Sequence, residues 1–159
     1  MVRSVFALAL ALLATTGCSN VGPNDNSRRD AQRAGAQEIP LDTAVTDAIN
    51  FAGGDATDWK AFNVTEAGEY TMEFFFDNPI VNATIDLHNQ YGERLESLTH
   101  NVNGPSDVMT VNLREVGTYY LRFNTTQYRS TYSLRVYQGR PTQANTPTEE
   151  PRPEFDRPI

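Results

Sequence analysis

Between residues 39 and 138 the chain alternates apolar and polar positions with a period of two, interrupted every ten residues or so by Gly, Asn, Asp or Pro. In an extended strand successive side chains point to opposite faces, so this alternation predicts strands that each bury one face. Tyr70, Met72, Phe74 and Phe76 fall on one face of such a segment, with Thr71, Glu73 and Phe75 on the other. Met109, Val111 and Leu113 repeat the scheme, followed by Tyr119, Leu121 and Phe123, and then by Tyr132, Leu134 and Val136. Further strands are predicted at residues 44–50, 59–64, 81–88 and 94–99. Turn-forming runs separate them, among them Gly53-Gly54-Asp55, Glu66-Ala67-Gly68, Asp77-Asn78-Pro79, Asn89-Gln90-Tyr91-Gly92 and Asn103-Gly104-Pro105. About eight short strands can all bury a face when two antiparallel sheets pack together, so the expected fold is an all-β sandwich over residues 39–138.

Both ends of the chain lack this pattern. Residues 18–38 are mostly Asn, Asp, Arg, Gln, Gly and Ala, and are expected to form a disordered tether with a reach of about 25 Å. Residues 139–159 hold Pro141, Pro147, Pro151, Pro153 and Pro158 out of the chain's 9 prolines, which predicts a disordered, polyproline-like tail. Residues 1–17 have a basic start at Arg3, an apolar run from Val5 to Ala14 and then small residues. That is the layout of a secretory signal, and its apolar run is about half of the ~20 residues a membrane-spanning helix needs.

Composition narrows the picture further. A length of 159 residues fits one domain. With 13 Lys+Arg against 20 Asp+Glu the formal net charge is -7, and loss of a leader containing Arg3 makes the chain more acidic still. Such a chain is ill suited to a phosphate backbone, so no nucleic-acid partner is expected. The single cysteine, Cys18, excludes an internal disulfide and any multi-cysteine metal site.

The run Leu13-Ala14-Thr15-Thr16-Gly17-Cys18-Ser19 resembles the bacterial lipobox, with Thr15 where Leu is usual. The resemblance implies cleavage before Cys18 and acylation of that residue, palmitate included. Two or three acyl chains anchor firmly, because each buried methylene contributes about 0.8 kcal/mol. Ser19 in place of Asp implies, by similarity to enterobacterial lipoproteins, the outer membrane.

A second resemblance covers residues 39–138. Gly54-Asp55-Ala56-Thr57-Asp58-Trp59-Lys60-Ala61-Phe62 and Ala67-Gly68-Glu69-Tyr70-Thr71 resemble the opening of bacterial pre-peptidase C-terminal domains. Ile85-Asp86-Leu87-His88-Asn89-Gln90-Tyr91-Gly92 is similar to that family's strand and turn. Gly117-Thr118-Tyr119-Tyr120-Leu121-Arg122-Phe123 and Tyr132-Ser133-Leu134-Arg135-Val136 are similar to its last two strands. Lys60 stands where the family usually has a second aromatic. The resemblance implies a jelly-roll-like β-sandwich, commonly appended to exported proteins and associated with secretion and with substrate or surface binding. Relatives in clostridial collagenases bind collagen, and some bind calcium.

Candidate chemistry is sparse. His88 and His100 are the only histidines, and no zinc-protease, nucleophile-elbow or phosphate-loop motif occurs. Asp86 and His88 share a strand face, but with no nucleophile in view they read as a surface hydrogen bond, and no catalytic residue is assigned. Asp55 and Asp58 flank a Gly-rich turn and are the calcium candidates, with Asp42, Asp47 or Asp77 as further ligands. The plainer reading, that they accept backbone hydrogen bonds in the turn, is preferred because the Asp-x-Asp-x-Asp spacing is absent; otherwise no cofactor is expected.

Phe75, Tyr120, Arg122, Arg135 and Tyr137 lie on the polar faces of their strands, and would form a binding face if those strands are neighbours; Tyr91 and Tyr128 could join from loops. Trp59 reads as packing. The sequence therefore predicts a non-enzymatic, lipid-anchored envelope protein whose sandwich binds an envelope or extracellular protein or glycan, or serves as an accessory subunit. A spacer or coat lipoprotein without a discrete ligand is the alternative, and a small hydrolase is the less favoured third.

Overall fold

The computed structural model describes residues 29–141. The leader, Cys18 with the start of the tether, and the tail beyond residue 141 lie outside the described residues. Nine strands form: β1 (Gln37–Glu38), β2 (Val45–Asn50), β3 (Thr57–Val64), β4 (Gly68–Phe76), β5 (Asn82–His88), β6 (Arg94–Thr99), β7 (Ser106–Leu113), β8 (Gly117–Gln127) and β9 (Arg129–Gln138). They make a five-stranded sheet in the order β1-β3-β8-β5-β6 and a four-stranded sheet in the order β2-β9-β4-β7. Apart from the two-residue β1, which pairs parallel to β3, all pairings are antiparallel. Chain order alternates between sheets except at the β5–β6 hairpin, which is the jelly-roll winding.

The alternation that predicts the strands also predicts the core. Tyr70, Met72, Phe74 and Phe76 are buried, as are Tyr119, Leu121, Phe123, Tyr132, Leu134 and Val136. The side chains of β4 and β9 meet those of β8 and Val81, Ala83, Ile85 and Leu87 on the opposite sheet and its approach, with Phe123 stacked on Tyr132 at 4.4 Å between ring centroids. Val111, expected in the core, is only partly buried because β7 is the outermost strand of its sheet.

Three local devices fix the ends of strands. Tyr70 donates to the Glu66 carbonyl at 3.0 Å and Tyr119 to the Glu115 carbonyl at 2.9 Å, so β4 and β8 each begin on the same four-residue tyrosine corner. In the β5–β6 hairpin the Asn89 carboxamide oxygen accepts from the Tyr91 and Glu93 amides, both at 3.0 Å, and Gly92 takes the positive φ that the turn requires. His100, buried between loops, holds Asp107 through Nδ1 and the Pro79 carbonyl through Nε2.

The N-terminal boundary differs from expectation. Residues 29–38 do not belong to a disordered tether: they form a bend, a single 3-10 turn at Arg33–Gly35 and β1. This arm is fastened by the Trp59 amide donating to the Asp30 carbonyl at 2.8 Å, by the Ile39 amide donating to the Ala61 carbonyl at 2.8 Å, and by an ion pair described below. Polar composition alone did not reveal it, because the arm docks through backbone and charge, with Ile39 its one fully buried apolar anchor.

Candidate functional site

Strand β3 places two sites on its two faces. Phe62 and Val64 point into the sandwich, so the two-residue period sends Asp58 and Lys60 inward and Trp59 outward.

On the inner side, Lys60 is fully buried where β3 faces β2 and β9, beneath the arm. Its Nζ donates to Asp30 Oδ2 at 3.0 Å, to Gln37 Oε1 at 2.9 Å and to Asp47 Oδ2. Burial on its own would lower the ammonium's pKa, but the hydrogen bond and charge of Asp47 outweigh it and the net shift is upward, so Lys60 stays charged. Asp58 lies beside it, accepting from the Tyr132 hydroxyl at 2.8 Å while its other oxygen has no partner. Burial pushes the Asp58 carboxyl up to about 8, against the opposing pull of Lys60 and Tyr132, so at neutral pH it is mainly protonated. Burial, with the Asp58 charge next in weight, raises the Tyr132 phenol well above 10.

This cluster bears on calcium. Asp30, Asp47 and Asp58 each offer an oxygen within 4.8 Å of the others, the one such grouping among the described residues. Asp58 thus joins Asp30 and Asp47 and not Asp55, which sits in the β2–β3 turn bridged to Asn50. The cation among these carboxylates is the Lys60 ammonium, so the residues present do not fit a calcium ion.

On the outer side, Trp59 lies across from Arg122 of β8, which lies across from Asp86 of β5; Tyr120 lies across from Ala61 and His88. The Trp59 ring is 5.1 Å from His88 and 6.5 Å, edge-on, from Tyr120. Guanidiniums cover both large rings: Arg122 is 6.0 Å from the Trp59 ring and Arg33 of the arm is 5.4 Å from the Tyr120 ring. The arm also walls a polar cleft of about 460 Å³ floored by Ala61, Asn63, Thr118 and Tyr120. Asp86 takes its hydrogen bond from Ser97 Oγ at 2.7 Å, and His88 Nδ1 faces the Gly92 carbonyl at 3.2 Å. The two do not form an acid–base pair with each other.

The five residues expected to share one binding face fall on two. Jelly-roll winding puts β8 in one sheet and β4 and β9 in the other, so Tyr120 and Arg122 face away from Phe75, Arg135 and Tyr137. The second set borders a shallow groove of about 360 Å³ that includes Phe75, Val108 and Arg135. There Tyr137 donates to Glu73 at 2.8 Å and lies under Arg135 at 5.1 Å. Tyr91 and Tyr128 sit exposed in the β5–β6 and β8–β9 turns. Trp59, read as packing, is half-buried on the outer face, and Arg33 was hidden inside the supposed tether. Counting back by twos from Phe62 reaches Lys60 and Asp58 and so leaves Trp59 on the outer face; only the fold brings Arg33 to Tyr120 beside it.

With this geometry, the sandwich can be compared with known proteins. No family model and no curated protein matches the chain. It is similar to the pre-peptidase C-terminal domain of a collagenase from Bacillus anthracis. That solved structure is 26% identical, with a TM-score of 0.55, over 64% of this chain and 93% of that one. A mitogen from Yersinia pseudotuberculosis, 13% identical with a TM-score of 0.46, matches over 67% of this chain and 93% of its own. The C-terminal family 6 carbohydrate-binding module of a Zobellia galactanivorans laminarinase is 13% identical with a TM-score of 0.38, over 58% and 98%. The last two carry no functional weight. The first agrees with the jelly-roll expectation drawn from residues 39–138.

Proposed function

We propose that this chain is a non-enzymatic lipoprotein of the bacterial envelope. In this reading Cys18 is acylated, anchors the protein in the outer membrane and leads through a short tether to a jelly roll. The jelly roll binds a protein or glycan with the outer face of its five-stranded sheet.

The observation that carries the binding reading is the Trp59, Tyr120 and Arg122 constellation. Two large aromatic rings and their cations gather on the outside of a sheet whose inside is already filled. Trp, Tyr and Arg are the residues that dominate binding energy at interfaces. Similarity to a domain appended to a collagenase supports a binding module over a catalyst. The lipobox-like run around Cys18 supports the anchor.

The test is affinity capture from detergent-solubilised envelopes with the full-length protein. A Trp59→Ala, Tyr120→Ala double variant should lose the captured material while keeping its circular dichroism spectrum; a Phe75→Ser variant, altered on the opposite sheet, should retain it. Equal capture by all three would remove the face. Palmitate should label the wild type and not Cys18→Ser, and an unlabelled wild type would remove the anchor.

A further inference from the structure

Three guanidiniums converge on the outer face of the five-stranded sheet, and none has a hydrogen-bonded anion. Arg33 lies over the Tyr120 ring with its guanidinium against Gly92 of the β5–β6 turn. Arg122 and Arg94 stand 3.8 and 3.6 Å from Asp86, too far for good hydrogen bonds. The Asp86 carboxylate is itself almost wholly buried and already engaged by Ser97. Each guanidinium offers five N–H donors in a planar fork, and stacking on Tyr120 and Trp59 orients two of the forks. This concentration of cations sits on a protein of net charge -7.

The surroundings narrow the ligand. A planar fork matches a carboxylate, which it can grip through two parallel hydrogen bonds. The features that usually cradle phosphate are missing: the one helical turn among the described residues is the three-residue 3-10 turn. Around the forks the face offers neutral donors and acceptors from Thr84, Ser97, Asn124 and, in the cleft, Asn63 and Thr118, with Glu38 the one acid on the cleft's wall. Hydroxyl and amide groups spread across an open sheet suit the many hydroxyls of an extended sugar chain better than the side chains of a peptide, which need pockets.

Resting on the binding-face reading above, we propose that the ligand is a polysaccharide bearing carboxylates, gripped by Arg33, Arg94 and Arg122 beside Trp59 and Tyr120.

Polygalacturonate and its methyl ester test this directly, because they share a backbone and differ in charge. Full-length protein in detergent should bind the acid polymer at least tenfold more tightly than the ester in calorimetric titration, and added salt should weaken the acid polymer's binding. An Arg33→Gln, Arg122→Gln variant should lose that tenfold preference. An Arg114→Gln, Arg135→Gln variant, which removes equal charge from elsewhere, should keep it. Equal binding of acid and ester, or equal loss in both double variants, would overturn the proposal. If neither polymer binds while envelope capture still depends on Trp59 and Tyr120, the acidic-glycan inference fails and the binding face stands. If capture fails as well, both fall.

Discussion

The two faces of β3 invert the usual distribution of side chains. Within its first half, Asp58 and Lys60 are inside and Trp59 is outside; in its second half, Phe62 and Val64 are inside and Asn63 is outside. The second half obeys the ordinary preference for burying apolar surface. The first half contravenes it on both sides, and each violation has its own compensation. Inside, the ammonium is satisfied by Asp30, Asp47 and Gln37, so burial is tolerated. Outside, the indole is covered by Arg122 and His88, so exposure is limited. The inner charges fasten the arm, and the arm carries Arg33 to the outer face. A buried ion cluster and a half-buried outer aromatic face are therefore consecutive consequences of one stretch of strand.

The comparison can be broken most forcefully from the inside. Lys60→Met leaves Asp30 and Asp47 buried around no cation, and should cost about 3–5 kcal/mol in urea denaturation at pH 7. Adding Asp47→Leu should recover part of that loss. If Lys60→Met alone is neutral, the cluster does not hold the arm.

Asp58 gives an effect of comparable size, spread over a range of pH. Its carboxyl is raised from 3.8 to about 8, so between those values the folded state keeps a proton that the unfolded state has released. Stability should fall as pH rises through this window and level off above it, by up to the order of 5 kcal/mol. Asp58→Asn should flatten the profile. Melts at pH 5 and pH 8 that move equally in wild type and variant would show that the carboxyl is not buried as described.

Smaller changes sharpen the contrast. Tyr132→Phe removes the hydrogen bond to Asp58 and should cost about 1 kcal/mol. Trp59→Ala and Tyr120→Ala should each cost about 1 kcal/mol in stability while sharply weakening capture, since both rings are only half-buried. A loss of stability as large as that of Lys60→Met would mean that these rings are core.

Strands and core were legible because burial imposes a period of two that the sequence carries openly, as in Tyr70 to Phe76 or Tyr132 to Val136. The same period, applied to Asp47, Asp58 and Lys60, places charges inside; a prior that charged residues face water hides this. Asp30 and Arg33 were not legible at all, since nothing local marks a polar segment that docks through a backbone pairing and a distant lysine. The split of the proposed five-residue face has a different cause: alternation tells which side of a strand a residue occupies, and says nothing of which sheet receives the strand.

The place of β9 in the four-stranded sheet sets the order of assembly. It lies between β2 and β4, pairing Val45 with Leu134 and Met72 with Val136 across long stretches of chain. β4 can pair with β7 earlier, but β2 has no neighbour in this sheet until residues 129–138 have emerged from the ribosome. Completion of this sheet is therefore a late step, because wide loops must close first. A chain cut at Tyr128 keeps every strand of the five-stranded sheet but loses the one that joins β2 to β4, so the opposite layer is left in two pieces.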